Sequence, residues 1–348
     1  MPAISVIMPV YNGGEKVKIA INSVLEQTFQ DFELIIVNDG STDNSLDICQ
    51  HYASSDIRVK IIHQENRGIS SARNAGINAA AGKYLAFIDN DDFYLKELLM
   101  ENFNLAEGAR ADLVKFSYLI VDEKQAKEKT LYDLADDKVD VQFLESKNIL
   151  NEYIWLDRAN RLVYVWDALI RADVVKKNQI FFDESFKRGH EDIAFCLEIY
   201  PHLEKVVVNN KKYYIHIKYK SSTSKATSST FIADTEKLIN YEIKMLERTG
   251  LNLIRPDWLA ERIFYYVHLC IRYIRKPDVN LTRKHIYSAL NRLSNYYSSL
   301  ANETEQINYL NIKAMDKFYL RLFARNRINM LSSLLVLSKK MKKYRFKR

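Results

Sequence analysis

The first hundred residues alternate short apolar runs with segments of helical periodicity, and no other feature constrains the fold as strongly. Four strands are predicted at Ile4–Met8, Phe32–Val37, Val59–Ile62 and Tyr84–Ile88. Three helices are predicted at Lys18–Leu25, from Ser41 or Thr42 as N-cap through Ala53, and at Ser70–Ala81. Because strands joined by helices of this length form right-handed βαβ units, we expect an α/β fold with a mostly parallel central sheet and flanking helices.

The rest of the chain divides at a Ser/Thr-rich linker, predicted at residues 221–230. Before it, further strands are predicted at Leu113–Tyr118, Lys205–Val208 and Lys212–Ile217. After it the pattern is wholly helical, and the apolar, Tyr-rich stretch Ile263–Ile274 predicts a buried helix. We therefore predict one α/β domain at 1–220 and a helical region at 231–348.

The positive charge is concentrated at one end of the chain. Residues 321–348 contain ten Lys or Arg and no Asp or Glu, although the net charge of the whole chain is only +7. The other 320 residues therefore carry 41 basic and 44 acidic side chains, a net charge of −3. This balance argues against nucleic-acid binding by the folded body and makes the basic tail a separate question.

Other patterns exclude whole classes of protein. No apolar run approaches the roughly 20 residues that span a bilayer, and the N-terminal strand has no cationic segment before it, as a secretory signal would have. The three cysteines, Cys49, Cys196 and Cys270, lie far apart without metal-ligand spacing. We therefore expect a reduced, cytoplasmic protein.

Polar residues follow the predicted parallel strands where each strand ends, at Tyr11-Asn12, Asp39-Gly40 and Asp89–Asp92. In such sheets ligands bind beyond the carboxyl ends of the strands. Residues i and i+2 of a strand point the same way, so Asp89 and Asp91 could share Mg²⁺ or Mn²⁺. The alternative is that these aspartates begin a helix and cap its backbone donors.

Three further side chains each allow a binding interpretation and a structural one. Asp39 could accept a hydrogen bond from a base or a ribose, or could serve only the turn that follows the strand. Tyr11 could stack on a base or merely pack against the protein. Arg73 could bind a diphosphate with both ends of its guanidinium, or could be an ordinary surface arginine.

A second acidic pair, Glu191-Asp192, opens a predicted helix that runs to about Tyr200. A carboxylate in the first helical turn is kept ionised by the helix dipole, and in a cleft it could act as a general base. The alternative is the acidity that is common at helix starts. The chain has neither a G-x-G-x-x-G nor a G-x-x-x-x-G-K-[ST] motif, which makes dinucleotide-binding dehydrogenases and P-loop NTPases unlikely candidates.

Taken together, these segments resemble glycosyltransferase family 2, the inverting GT-A transferases that use nucleotide sugars. The resemblance covers about residues 4–220 and rests on five motifs in order: Ser5–Asn12, Glu33–Asp43, Asn66–Gly76, Phe87–Asp92 and Gly189–Phe195. It implies a Rossmann-like GT-A domain with a nucleotide-binding half at 1–110 and an acceptor-side half at 111–220.

The resemblance also implies roles for individual residues. The residues implied for binding the UDP part of a UDP-sugar are Pro9, Val10, Tyr11, Asn12, Asp39, Arg73, Asp89 and Asn90. Asp91 would bind Mn²⁺ or Mg²⁺, with Asp89 and His216 as further candidate ligands. Asp192 would deprotonate the acceptor hydroxyl, with Glu191 as the less favoured base. The partners implied are a nucleotide sugar and a glycan acceptor that can be lipid-linked.

Two departures from the family pattern bear on function. The family commonly has Lys where this chain has Ala168, so any contact made by that lysine is missing. The Gln-x-x-Arg-Trp signature of processive synthases is absent, which favours the addition of a single sugar. Two alternatives stay open from sequence: a sugar-nucleotide pyrophosphorylase, and a non-catalytic nucleotide-sugar-binding partner of another transferase.

The basic tail allows two interpretations. The two apolar sets at helical spacing are Met315, Phe318 and Leu322, and then Ile328, Leu331 and Leu335. Together with the cations of 338–348, they could form an amphipathic surface that lies on an anionic leaflet. This would give a peripheral position on the inner face of the cell membrane. The alternative is a helix that packs into the core and ends in a solvated charged tail.

Overall fold

The computed structural model describes residues 1–128, 131, 140–145, 164–186, 189–219, 230–250, 256–276, 279–298 and 313–345. The chain forms two compact units, one comprising residues 1–186 and 191–223 and the other residues 187–190 and 224–348. Apart from Thr230, the predicted linker at 221–230 lies outside the described residues.

The first unit is built on one mixed sheet. Its strands are β1 (Ile4–Val10), β2 (Phe32–Asp39), β3 (Val59–Gln64), β4 (Tyr84–Phe87), β5 (Phe93–Tyr94), β6 (Leu113–Asp122), β7 (Val141–Glu145), β8 (Ala168–Arg171) and β9 (Lys205–Lys218). They lie in the order β3-β2-β1-β4-β8-β6-β9-β5, and β7 also pairs with β9. The predicted α/β class is confirmed, and the first four strands are parallel as predicted. β8, β5 and β7 pair antiparallel with their neighbours, so the second half of the sheet is mixed.

Helices accompany this sheet. They are α1 (Lys16–Leu25), α2 (Ser45–Ser55), α3 (Ile69–Ala79), α4 (Leu98–Ala109), α5 (Glu123–Glu128), α6 (Ala172–Lys177) and α7 (Glu191–Ile199). Every residue of β1 and β2 is buried, as expected for strands covered on both faces. A Cβ atom on Gly76 of α3 would lie 2.4 Å from Cγ2 of Ile7 in β1. The glycine therefore permits α3 to pack directly on the central strand.

The predicted N-cap of the second helix is wrong, because α2 begins at Ser45 rather than after Ser41 or Thr42. Ser41 Oγ instead accepts the backbone N–H of Asn12 at 3.1 Å, and the N–H of Thr42 donates to Asn12 Oδ1 at 2.8 Å. These hydroxyl residues therefore tie the loop after β2 to the loop after β1.

The two strands predicted at Lys205–Val208 and Lys212–Ile217 are one continuous strand, β9. The polar residues between the apolar runs suggested a break, but Asn209 is buried and paired inside the unit. Its Nδ2 donates to Asn102 Oδ1 at 3.1 Å and to the Tyr213 hydroxyl at 3.3 Å. Where the break was predicted, the register between β6 and β9 shifts, but β9 itself continues.

The second unit is helical in its described residues, as predicted. Its helices are α8 (Phe231–Thr249), α9 (Pro256–Ile274), α10 (Arg283–Ser298), α11 (Ala314–Ala324) and α12 (Ile328–Arg345). The stretch predicted as a buried helix forms most of α9, with Ile263, Val267 and Ile271 fully buried. No helix in the described ranges is long and apolar enough to cross a membrane.

One apolar set predicted to face a membrane is buried instead. Ile328, Leu331 and Leu335 are at most 2% exposed, so the core-packing interpretation is correct for this face of α12. A buried face has exchanged water for protein contacts already and cannot also enter lipid. Of the other set, Leu322 is buried, whereas Met315 and Phe318 of α11 are exposed.

Candidate active site

Polar residues collect where β2, β1 and β4, three neighbours in the sheet, reach their carboxyl ends. Asp39 is the last residue of β2, Tyr11 follows β1, and Asp89 lies two residues after β4. The tyrosine ring is 50% exposed, whereas the preceding residues Pro9 and Val10 are buried in the strand. The sequence therefore predicted correctly that these segments share one edge of the sheet.

The loop at 89–92 does not begin a helix, so the alternative of helix-start aspartates is wrong here. It leads from β4 into the short strand β5, and α4 begins only at Leu98. The side chain of Asn90 lies close to the backbone of Gly13, since a Cβ atom on that glycine would be 2.9 Å from Asn90 Nδ2. The loop that carries the aspartates is thus packed against the loop that follows β1.

Asp91 lies in an environment with an excess of negative charge. Burial, with the nearby carboxylates of Asp92 and Asp89, raises the pKa of Asp91 to about 7. The charges of Lys16, at the start of α1, and of His216 oppose this shift. A site that holds its carboxylate protonated near neutral pH is one where a divalent cation would be stabilised.

The described residues nevertheless contain no group of three or more His, Cys, Asp or Glu side chains that could hold a metal ion. Asp89, Asp91 and His216 are therefore not a preformed three-ligand cage. Mg²⁺ commonly binds through one or two carboxylates and completes its shell with water and substrate phosphates. The role of Asp91 and Asp89 as ligands of such an ion stays a prediction.

Asp92 was missed by the sequence analysis and is the best-anchored residue of the loop. It is fully buried, and its carboxylate accepts hydrogen bonds from the Tyr214 hydroxyl at 2.7 Å and the Ile217 N–H at 2.9 Å. Tyr214 in turn accepts the backbone N–H of Asp89 at 3.2 Å. Asp92 and Tyr214 together fix the loop to β9.

His216 lies on the same strand and bonds to the same carboxylate. Its Nδ1 is 3.1 Å from both oxygens of Asp92, and this hydrogen bond raises the pKa of His216. Its ring stacks on Trp166 with the centroids 6.0 Å apart. A carboxylate on one ring nitrogen is the usual setting of a histidine that binds metal through the other. The role of His216 as a ligand stays a prediction.

Arg73 connects the two acidic segments that the sequence singled out. It lies in α3 and is only 2% exposed, so the interpretation as a surface arginine is wrong. Nη2 donates to Asp89 Oδ1 at 3.2 Å, whereas Nη1 donates to Glu191 Oε1 at 3.3 Å and also to Asp192. The guanidinium lies over the ring of Phe182. One buried cation thus joins the loop after β4 to the start of α7.

Asp192 lies in the first turn of α7, which begins at Glu191 as predicted. Burial raises the pKa of Asp192 above its ordinary value, and the nearby charges of Glu191 and Asp89 add to this rise. Arg73 acts in the opposite direction and stabilises the ionised carboxylate. A carboxylate tuned in this way is suited to accept a proton near neutral pH.

Asp39 has a different environment from that of the other acids. Its side chain is 3% exposed and accepts the backbone N–H groups of Arg67 at 2.9 Å and Gly68 at 2.8 Å. Gln64 Nε2 donates to it at 2.7 Å. Gly68, whose φ of +94° suits glycine, is the N-cap of α3. Asp39 therefore positions the start of the helix that carries Arg73, and three of its roughly four acceptor sites are occupied.

A lysine lies opposite Ala168, where the family commonly has its own lysine. Lys115 of β6 pairs with Ala168 across the sheet. Its Nζ forms a buried ion pair with Asp167 and donates to the Tyr164 carbonyl at 2.8 Å. A neighbouring strand thus supplies an ammonium group at this position, although here it neutralises Asp167.

Comparison with known proteins identifies relatives of this chain. A family model described as Glycosyl transferase family 2 matches residues 5–188. The uncharacterized glycosyltransferase EpsJ of Bacillus subtilis is 33% identical over 217 residues, which are 62% of this chain and only 61% of that one. The uncharacterized glycosyltransferase YibD of Escherichia coli is 28% identical over 305 residues, covering 82% of this chain and 83% of that one.

Among solved structures, residues 1–349 of S. aureus TarS in complex with UDP superpose with a TM-score of 0.65. The sequence identity is 18%, and the match covers 96% of this chain and 90% of that one. The same fragment is also solved with UDP-GlcNAc. At this identity the likeness establishes the GT-A fold.

Proposed function

Because the chain belongs to glycosyltransferase family 2, we propose that it transfers a single sugar from a UDP-sugar to a hydroxyl group of a glycan acceptor, with inversion and with a divalent metal ion. That the protein is a glycosyltransferase follows from its family. The observation that carries the finer proposal is the buried guanidinium of Arg73, which contacts both Asp89 and Asp192. The guanidinium holds close together the two carboxylates that the proposal assigns to the donor, Asp89, and to the acceptor, Asp192.

The donor would bind along the edge formed by Tyr11, Asp39 and Asp89. The exposed ring of Tyr11 offers a face for the uracil base. Asp39 has one acceptor site left after its three hydrogen bonds, enough for a single N–H of the base. The complexes of TarS with UDP and with UDP-GlcNAc support a uridine nucleotide in a fold of this kind.

The diphosphate needs positive charge, which two groups would supply. Mn²⁺ or Mg²⁺, held by Asp91 and Asp89, would act as a Lewis acid toward the leaving group. Lys16 lies close enough to Asp91 to lower its pKa, and its Nζ is 3.9 Å from the centroid of the Tyr219 ring. In this proposal its ammonium group faces the diphosphate that the metal ion at Asp91 would share.

Asp192 would accept the proton of the acceptor hydroxyl. Arg73 holds its carboxylate in place and partly offsets the effect of burial on its pKa. Glu191 shares the same guanidinium at a longer distance and stays the second candidate. The acceptor oxygen then attacks the anomeric carbon from the face opposite the diphosphate. The diphosphate leaves in the same step, so the configuration of the anomeric carbon is inverted.

A panel of nucleotide sugars, assayed with and without Mn²⁺, tests this proposal. We expect UDP-sugars to give the largest release of nucleotide and the largest thermal shift. Asp91→Ala should abolish the metal dependence of UDP binding. Asp173→Ala is a matched control, because this exposed carboxylate pairs with Lys177 on the surface of α6. Metal-dependent UDP binding that survives Asp91→Ala would contradict the assignment.

A further inference from the structure

The last described helix, α12, has apolar side chains on two opposite faces. One face, formed by Ile328, Leu331 and Leu335, is buried in the helical unit. The other is formed by Met330, Leu334 and Leu337, which follow one another at the i, i+4 and i+7 spacing of one helix face. We call these three residues the outer stripe.

The outer stripe is exposed to solvent. Met330 and Leu337 are 52% and 55% exposed, and Leu334 between them is partly exposed. In the sequence, Met341 and Tyr344 continue the same spacing. Single exposed apolar residues need no explanation, but an apolar row along a helix marks an interaction surface.

Two exposed arginines lie at the N-terminal end of the stripe. Arg325 and Arg327 are exposed, and their guanidinium groups form no ion pair or hydrogen bond with any residue in the described ranges. They line a cavity of about 560 Å³ together with Tyr287, Asn291 and Met330. The cavity therefore combines free cationic groups and amide and hydroxyl groups with the first residue of the apolar row.

The charge of this segment identifies the kind of partner. Residues 321–348 contain ten basic side chains and no acidic ones. A second copy of the chain would bring an equally basic segment to the same face, and like charges disfavour that contact. An anionic bilayer offers both complements, phosphate head groups for the cations and acyl chains for the apolar row.

We propose that the outer stripe, together with Arg325 and Arg327, docks α12 on the surface of an anionic membrane, with lipid phosphates entering the cavity. The apolar groups that enter the bilayer are Met330, Leu334 and Leu337. This docking is independent of the donor chemistry proposed above.

Co-sedimentation of the full chain with vesicles tests the proposal. Vesicles of phosphatidylcholine alone should bind little, whereas vesicles that also contain phosphatidylglycerol should bind well and release the protein as salt rises. Arg325→Ala and Arg327→Ala should each weaken binding about five-fold, equivalent to about 1 kcal/mol per cation. Leu337→Asp should weaken it at least about ten-fold.

The controls separate docking from misfolding and from self-association. Ile57→Asp likewise replaces an exposed aliphatic side chain with aspartate, but at a 96% exposed position of the other unit, and it should leave vesicle binding unchanged. Thermal unfolding of Leu337→Asp should match that of the parent, because the side chain is already exposed. The proposal is overturned if the parent binds neither vesicle, or if Leu337→Asp and the arginine variants bind as the parent does. It is also overturned if, without lipid, the parent forms dimers that Leu337→Asp abolishes.

Discussion

Asp39 and Asp91 are both aspartates at the carboxyl edge of the same sheet, but their surroundings differ. Asp39 accepts three N–H groups from its own chain, so most of its hydrogen-bonding capacity is used within the protein. Burial, together with the nearby carboxylates of Asp92 and Asp89, raises the pKa of Asp91 to about 7. The contrast shows that position along a strand does not decide the role of a residue. Asp39 holds the start of α3 in place. At Asp91 the charges of Lys16 and His216 only partly offset the effect of burial and of the neighbouring carboxylates, so a bound cation would stabilise this side chain further.

The largest effect on stability is expected at Arg73, the buried cation that pairs with the carboxylates near Asp91 and at the start of α7. Arg73→Met leaves Asp89, Glu191 and Asp192 without their buried cation, a loss expected to cost about 3–5 kcal/mol of unfolding free energy. Urea denaturation measures this change. Arg67→Met is the matched control, because Arg67 is 64% exposed and its pair with Glu184 should contribute less than about 1 kcal/mol. Equal losses in the two variants would show that Arg73 has no special role.

Substitution of Asp39 and of Asp91 tests whether the two aspartates contribute differently to stability. Asp39→Ala leaves the N–H groups of Arg67 and Gly68 without an acceptor and should lower the unfolding free energy by about 1–3 kcal/mol. Asp91→Asn removes a charge that its surroundings disfavour, so the metal-free protein at pH 8 should lose no stability. Urea denaturation in the presence of EDTA measures both. A larger loss of unfolding free energy in Asp91→Asn than in Asp39→Ala would contradict the roles assigned to the two aspartates.

The pH dependence of transfer follows from the raised pKa of Asp192. The base must be deprotonated to act, so kcat/KM should fall as pH decreases through the raised pKa of this carboxyl. An ordinary aspartate, with a pKa near 3.9, would leave the rate flat down to about pH 5. A rate that is constant between pH 8 and pH 5 would therefore argue against Asp192 as the base.

A smaller effect is expected at Lys16. If its ammonium group faces the diphosphate, Lys16→Met should weaken UDP binding by about five-fold, equivalent to about 1 kcal/mol for a partly screened charge. Lys18→Met is the control, since Lys18 pairs with Glu15 on the outside of the same helix. Calorimetric titration with UDP measures both, and equal affinities in the two variants would remove Lys16 from the site.

Much of the sheet could be predicted because its signals are local. The apolar runs of β1 to β4 and the polar residues that follow them are adjacent in sequence, and parallel connection brings their ends together. The start of α2 was placed too early because Ser41 and Thr42 bond to Asn12, which no local pattern reveals.

The partners within the site could not be predicted, since they come from distant parts of the chain. Asp192 lies 119 residues after Arg73, and His216 lies 124 residues after Asp92. From the sequence alone, Arg73 could be interpreted only as a diphosphate-binding residue or as a surface arginine. In the structure it is buried between carboxylates. The anchoring role of Asp92 could not be predicted from the residues around it, because its hydrogen-bond partners, Tyr214 and Ile217, lie on β9 and approach it only in the folded sheet.

The proposed role of Asp192 is tested by the turnover of Asp192→Asn, measured together with the affinity of this variant for UDP. The variant keeps the shape of the side chain and removes its basicity. UDP should bind as it does to the parent, while sugar transfer should fall by at least about 10²-fold. Transfer at a near-native rate would contradict Asp192 as the base and would make Glu191 the candidate.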